Sequence, residues 1–101
     1  MEQKQVLAGF FRAISGDPRI GVSHVSLYCA LLQCKDEEES LSPIMVRSTE
    51  VMRIAKILSL GTYHKCIKDL NDFGFIRYVP CFNHRKKSKV YLVFQNLEGK
   101  H

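Results

Sequence analysis

In the run "SLGTYHKCIKDLNDFGFI", residues 59–76, the residue types and their spacing are those of a surface that meets an anion. At 100° per residue, Tyr63, Cys66, Ile67, Leu70 and Phe73 share one side of a helix. The opposite side carries Gly61, His64, Lys65, Lys68 and Asp72, with Thr62 beside it. A lysine ammonium can sit against a phosphate or donate to the O6 and N7 of guanine. Ser59 is placed to cap this helix, and the free amides at the helix start can meet a phosphate. A second concentration of cations follows. Arg85, Lys86, Lys87 and Lys89 come close together with His84, and no acid falls between Arg77 and Lys89. Such a cluster gains free energy on a nucleic-acid backbone by releasing counterions. The plainer reading is a solvated helix face, with Lys65 and Lys68 paired to Asp69 and Asp72, followed by a solubilising loop.

Other chemistry finds less support. A zinc site built from His64, Cys66, Cys81 and His84 lacks the close ligand pair that marks such sites, and no two of the four cysteines, Cys29, Cys34, Cys66 and Cys81, have CxxC spacing. Cys29 and Cys66 fall on apolar helix faces, where a free thiol behaves as a small hydrophobe. His64 and Cys66 diverge on their helix, which is poor geometry for a base and its nucleophile. There is no Ser/His/Asp order, phosphate-cradling glycine loop or paired-carboxylate site. The expectation is a protein that is not an enzyme, with no metal and no cofactor.

The chain has 101 residues, 46% hydrophobic and 25% charged, which is ordinary for one globular domain. Its net charge is +5, unevenly distributed: residues 1–58 hold seven basic and seven acidic side chains, and residues 59–101 hold eight basic and three acidic. The whole excess falls on the segment that carries the lysine face, which suggests a polyanionic partner. No apolar run is long enough to span a membrane, and "MEQKQVLAGFFRAI" does not read as a secretory signal, so a cytoplasmic location is expected.

The elements that must hold these side chains can be read from periodicity. Val6, Leu7, Phe10, Phe11 and Ile14 recur at helical spacing and predict a helix over 3–13, ended by "SGDPRIG". Ser23 is expected to cap a second helix, "HVSLYCALLQCKDEE", apolar nearly all round through Leu32 and therefore central. "KDEEES" reads as an acidic loop or a frayed helix end. "SPIMVR" predicts a short strand within 42–47. Ser48 is expected to cap a helix over "TEVMRIAKI", with Val51, Met52, Ile54 and Ala55 inward and Glu50 suiting the positive end of its dipole. A tight turn through Ile57 and Leu58 then joins it to the helix from Leu60 to Phe73, which makes a helix-turn-helix. Gly61 admits the close approach of another backbone, and Gly74 suits a left-handed helix end. Beyond it, Phe75–Phe82 and Val90–Phe94 predict a hairpin around "NHRKKS", with Pro80 keeping its strand at an edge or marking an irregularity.

At this point the chain resembles a known family. Ser59, Thr62, Tyr63, Ile67, Leu70, Gly74, Phe75 and Ile76 stand in a spacing similar to the recognition-helix signature of bacterial winged helix-turn-helix regulators. The fuller run "MRIAKILSLGTYHKCIKDLNDFGFIRYVP", with "SHVSLYCALLQ" before it and "VYLV" after it, resembles still more the small winged-helix regulators carried on bacterial conjugative and other mobile elements. The resemblance covers roughly residues 20–93. It implies an α+β, mainly α, fold with an extra N-terminal helix over 1–16, a three-helix core over 22–74, a two-stranded wing over 75–95 and a tail over 96–101. It further implies sequence-specific binding of double-stranded DNA, in transcription, replication or mobilisation. Thr62, His64, Lys65 and Lys68 would face the major groove, Ser59 at the cap would meet a phosphate, and Arg85, Lys86, Lys87 and Lys89 would lie along the backbone or a minor groove. Leu60 and Gly61 depart from the family pattern, which favours polar residues there.

Two alternatives concern partners. The same fold could serve as a protein-assembly module without a DNA target. The stripe Val6, Leu7, Phe10, Phe11 and Ile14 could form a homodimer interface, or simply pack on the "VSLYCALL" helix.

Overall fold

The computed structural model describes residues 3–35, 43–81 and 87–93. Four helices and three strands follow in the order α1 (Gln3–Ile14), α2 (Val22–Gln33), β1 (Ile44–Val46), α3 (Ser48–Ala55), α4 (Leu60–Asp72), β2 (Ile76–Val79) and β3 (Ser88–Leu92). The strands form one antiparallel sheet in the order β1-β3-β2. The class is α+β and mainly helical.

The core forms where the apolar faces converge. Leu27, Tyr28, Ala30, Leu31 and Leu32 of α2 are all buried, as befits the central helix. α1 lies against it: Phe10 is 0% exposed, stacks on Tyr28 with ring centroids 3.7 Å apart and meets Phe75 edge-on at 5.4 Å. Val6 is buried beside it, Leu7 and Ile14 are half-buried, and Phe11 is left 45% exposed. The apolar stripe of α1 is therefore largely core of its own chain. On the sheet, the register aligns Ile44 with Val90 and Val90 with Tyr78, so β3 presents its buried Val90 between both neighbours. The Ser26 hydroxyl donates to the Ala55 carbonyl and ties α2 to the end of α3.

α3 ends at Lys56, which adopts the left-handed conformation (φ 64°) and turns the chain sharply towards α4. Ser59 caps α4 as its position predicts, its Oγ accepting from the Thr62 amide at 3.2 Å. Tyr63, Cys66, Ile67 and Leu70 are buried on the inward face, and Phe73 is half-buried. At the far end, the Phe75 amide donates to the Leu70 carbonyl and the Gly74 amide to that of Asn71, with Gly74 at φ 88°. This is the Schellman arrangement, and it delivers Phe75 into the core. A Cβ at residue 74 would meet nothing within 4 Å, so replacing the glycine strains only the backbone. Gly74→Ala is expected to cost about 1 kcal/mol in urea denaturation; an unchanged midpoint would mean that residue 74 tolerates a side chain at this angle.

Several sequence expectations are corrected. Ser23 does not cap α2: the cap is Gly21, whose amide donates to His24 Nδ1 at 3.0 Å, while Ser23 lies inside the first turn. α2 also stops earlier than "KDEE", with Cys34 as its end; its amide donates to the Ala30 and Leu31 carbonyls, and residues 36–42 lie outside the described part. Ser48 is the first residue of α3 rather than its cap. Arg47 holds the cap position, and no side chain caps that helix. The two strands of the hairpin, β2 and β3, do pair antiparallel, but they do not form a sheet of their own: β1 joins β3 on the side away from β2. The hairpin strands are also shorter than Phe75–Phe82 and shifted from Val90–Phe94, and Phe82 and Phe94 lie outside the described residues. Pro80 does follow an edge strand, β2, at its end. At Gly61 no other backbone among the described residues comes within 4 Å of an added Cβ, which would meet Ser59 Oγ at 3.6 Å.

Candidate functional site

Thr62, His64, Lys65 and Lys68 are all exposed on the outer face of α4. With Ser59 occupied by the Thr62 amide, the amides of Leu60 and Gly61, at the first two helical positions, have no acceptor within the helix. The lysines are not bare. Lys65 Nζ lies 2.9 Å from Asp69 Oδ2, and Lys68 Nζ lies 2.7 Å from Asp72 Oδ2, both one turn apart. Hydrogen bonding to these carboxylates raises both ammonium pKa values, and the same contacts hold the Asp72 carboxyl below its ordinary value. The outer face of α4 is thus a set of exposed, paired charges. Such pairs are weak and screened by salt, so a phosphate can take the place of a carboxylate.

Asp69 has a second partner. His24, 8% exposed, accepts from the Gly21 amide through Nδ1, so its proton sits on Nε2 and is donated to Asp69 Oδ2 at 2.8 Å. The His24 ring, and after it the Lys65 ammonium, hold the Asp69 carboxyl below the usual carboxylate range. The sign follows: a lowered carboxyl favours the fold above the ordinary value of 3.8, and that contribution disappears as pH falls through the lowered one. The chain Gly21–His24–Asp69–Lys65 runs from the start of α2 to the outer face of α4.

A further group of cations lies elsewhere. Arg47, Arg53 and Lys87 line a cleft of about 620 Å³ with Thr49 and Glu50. None of the three cations forms an ion pair with a described residue, and among the described residues Glu50 is the one acid that lines the cleft. α3 has no side-chain cap, and its dipole adds partial positive charge at this point. A neighbouring cleft of about 590 Å³ is lined by Arg47 and Thr49 together with His64, Pro80 and Cys81. The head of α3, the exposed face of α4 and the hairpin therefore share one continuous surface. Lys87 extends it to the outer face of the sheet, where Lys89 sits in register between Met45 and Val79. On the same strand Tyr91 carries the Arg77 guanidinium over its ring at 4.3 Å.

Arg47 and Arg53 stand outside the set of residues that the sequence marks for a role. A signal for them is present: residues 43–58 hold Arg47, Arg53 and Lys56 against Glu50 alone, but the acids at 36–39 cancel them in any sum over residues 1–58. Of the expected hairpin cations, Lys87 and Lys89 belong to the surface just described, whereas Arg85, Lys86 and the neighbouring His84 lie outside the described residues. Of the four residues considered for zinc, His64 and Cys81 line one cleft, Cys66 is buried, and His84 lies outside the described residues. Burial pushes the Cys66 thiol up, away from nucleophilic character. Among the described residues no three His, Cys, Asp or Glu side chains cluster, and no helix is long and apolar enough to cross a membrane. Compared with models of protein families, with curated proteins and with solved structures, the chain matches none of them.

Proposed function

We propose that the chain is a winged helix-turn-helix domain that binds double-stranded DNA in a sequence-specific way and acts as a small regulator of transcription, replication or mobilisation. In this reading α4 enters the major groove, and the cations around the head of α3 and along the hairpin lie against the backbone. The observation that carries it is the cleft of Arg47, Arg53 and Lys87, three cations without an ion-pair partner among the described residues and continuous with the exposed face of α4. A solvated surface with no partner does not require cations from α3, its cap and the approach to β3 to converge. The element order and the β1-β3-β2 sheet support the same reading.

Titrating a labelled random duplex between about 50 and 200 mM salt tests it. A steep loss of affinity with salt is expected, and absence of binding at the low end would overturn the proposal. Selection from genomic fragments then finds the preferred site. Within that site, Lys65 and Lys68 are predicted to act differently from the cleft. At least one of Lys65→Ala and Lys68→Ala lowers affinity for selected DNA by roughly tenfold more than for random DNA, the size of one good hydrogen-bonded base contact. Equal reductions on both would make them phosphate anchors.

The assembly-module alternative draws on exposed apolar side chains, but these are divided among α1 (Phe11), the start of α2 (Val22), the α3–α4 turn (Leu58) and the sheet (Met45, Val79). A homodimer through α1 has Phe11 to offer, with Leu7 and Ile14 half-buried and Val6 and Phe10 already within the core.

A further inference from the structure

Leu58 is 97% exposed and Leu60 is 52% exposed, one on each side of the Ser59 cap. Neither position is explained by the fold. A hydrophobic residue just before a helix cap ordinarily packs on the residue four positions into the helix. Here that residue is Tyr63, which is turned into the core at 1% exposure and leaves Leu58 bare. Gly61 follows without a side chain, and the space beside it is open except for Ser59 Oγ. The leading edge of α4 is therefore an apolar pair next to a gap, flanked by the exposed Thr62, His64 and Lys65.

Two leucines are far too little for a stable protein interface, which buries about 800 Å² per partner. Their surroundings are polar and cationic, and they adjoin the surface assigned above to DNA. In the major groove, one feature of the base edges rewards an apolar side chain: the C5-methyl group of thymine. We infer that Leu58 and Leu60 contact thymine methyl groups and give the protein a preference for A·T pairs under the start of α4. Gly61 leaves room for the base edge to come close. The inference rests on the DNA reading of the same surface and adds to it the class of base that is read.

Three duplexes of equal length and charge provide the test: alternating dA·dT, alternating dA·dU, which differs only by the missing methyls, and alternating dG·dC. The unmodified protein is expected to bind dA·dT more tightly than dA·dU by about fourfold per methyl covered, the equivalent of about 0.8 kcal/mol. Leu60→Ala and Leu58→Ala, both at exposed positions that leave the core intact, are expected to reduce or abolish that difference while keeping the affinity for dA·dU. Equal binding of dA·dT and dA·dU by the unmodified protein overturns the inference but leaves the DNA reading standing. So does a methyl preference that survives in the double variant. Failure to bind any of the three at low salt overturns the DNA reading itself. Self-association in sedimentation that disappears in Leu58→Ala would overturn the inference too, by assigning the leucines to a second copy of the chain.

Discussion

Replacing Phe10 with alanine will lower the unfolding free energy by about 3–5 kcal/mol, as large-to-small changes of a fully buried aromatic do. Phe10 is closed off from solvent, stacks on Tyr28 and meets Phe75 edge-on, so the substitution opens a cavity where α1, α2 and the start of β2 meet. A domain of this size has about 5–15 kcal/mol in total, so the variant will be poorly folded at ordinary temperature. Urea denaturation followed by circular dichroism measures the loss. Phe11→Ala, on the exposed side of the same helix, is the control and should shift the midpoint little. The contrast also bears on dimerisation. Were α1 chiefly an interface, Phe10→Ala would leave a folded monomer of near-native stability, and that outcome would overturn its place in the core.

The second large effect concerns DNA. Removing Arg47, Arg53 and Lys87 together, each to alanine, will flatten the plot of log affinity against log salt by ~0.9 for each phosphate that is no longer neutralised, roughly 2.7 for three. Affinity will fall for selected and random sequences alike, because a cation on the DNA backbone carries no base information. The three side chains are distributed over α3, its cap and the approach to β3, and none makes an ion pair with a described residue, so the fold should tolerate their removal. Circular dichroism of the triple variant checks that. An unchanged salt slope would remove this cleft from the interface and return the electrostatic role to the hairpin tip.

What can be read in the sequence is what depends on near neighbours. Ser59 is legible as a cap because a polar side chain stands directly before a clean apolar period, and Gly74 because a helix that stops there needs a left-handed residue. The exposed positions of Thr62, His64, Lys65 and Lys68 follow from the same period. Ser23 and Ser48 mislead because each helix starts earlier than its serine suggests, with the cap at Gly21 and at Arg47. At α2 the Gly21 amide donates to His24, whose ring is held by Asp69, 45 residues further on. The basic cleft is hidden for a related reason: Arg47, Arg53 and Lys87 become neighbours only when β3 returns to lie beside β1. That strand pairing leaves no local trace either, since "SPIMVR" reads the same whether or not it has a partner.

The order β1-β3-β2 also bears on how the chain reaches its native state. Ile44 is laid down early but has its strand partner in Val90, near the other end of the described chain. During synthesis α1, α2, α3 and α4 can all emerge and pack while β1 remains without a neighbour. The sheet cannot close until the ribosome has released Val90. Closing so long a loop carries an entropic cost that local contacts do not offset. The arrival of β3 at once gives β1 its neighbour and brings Lys87 to Arg47 and Arg53. A nascent chain stalled before that point would have its helices but not its assembled cationic surface.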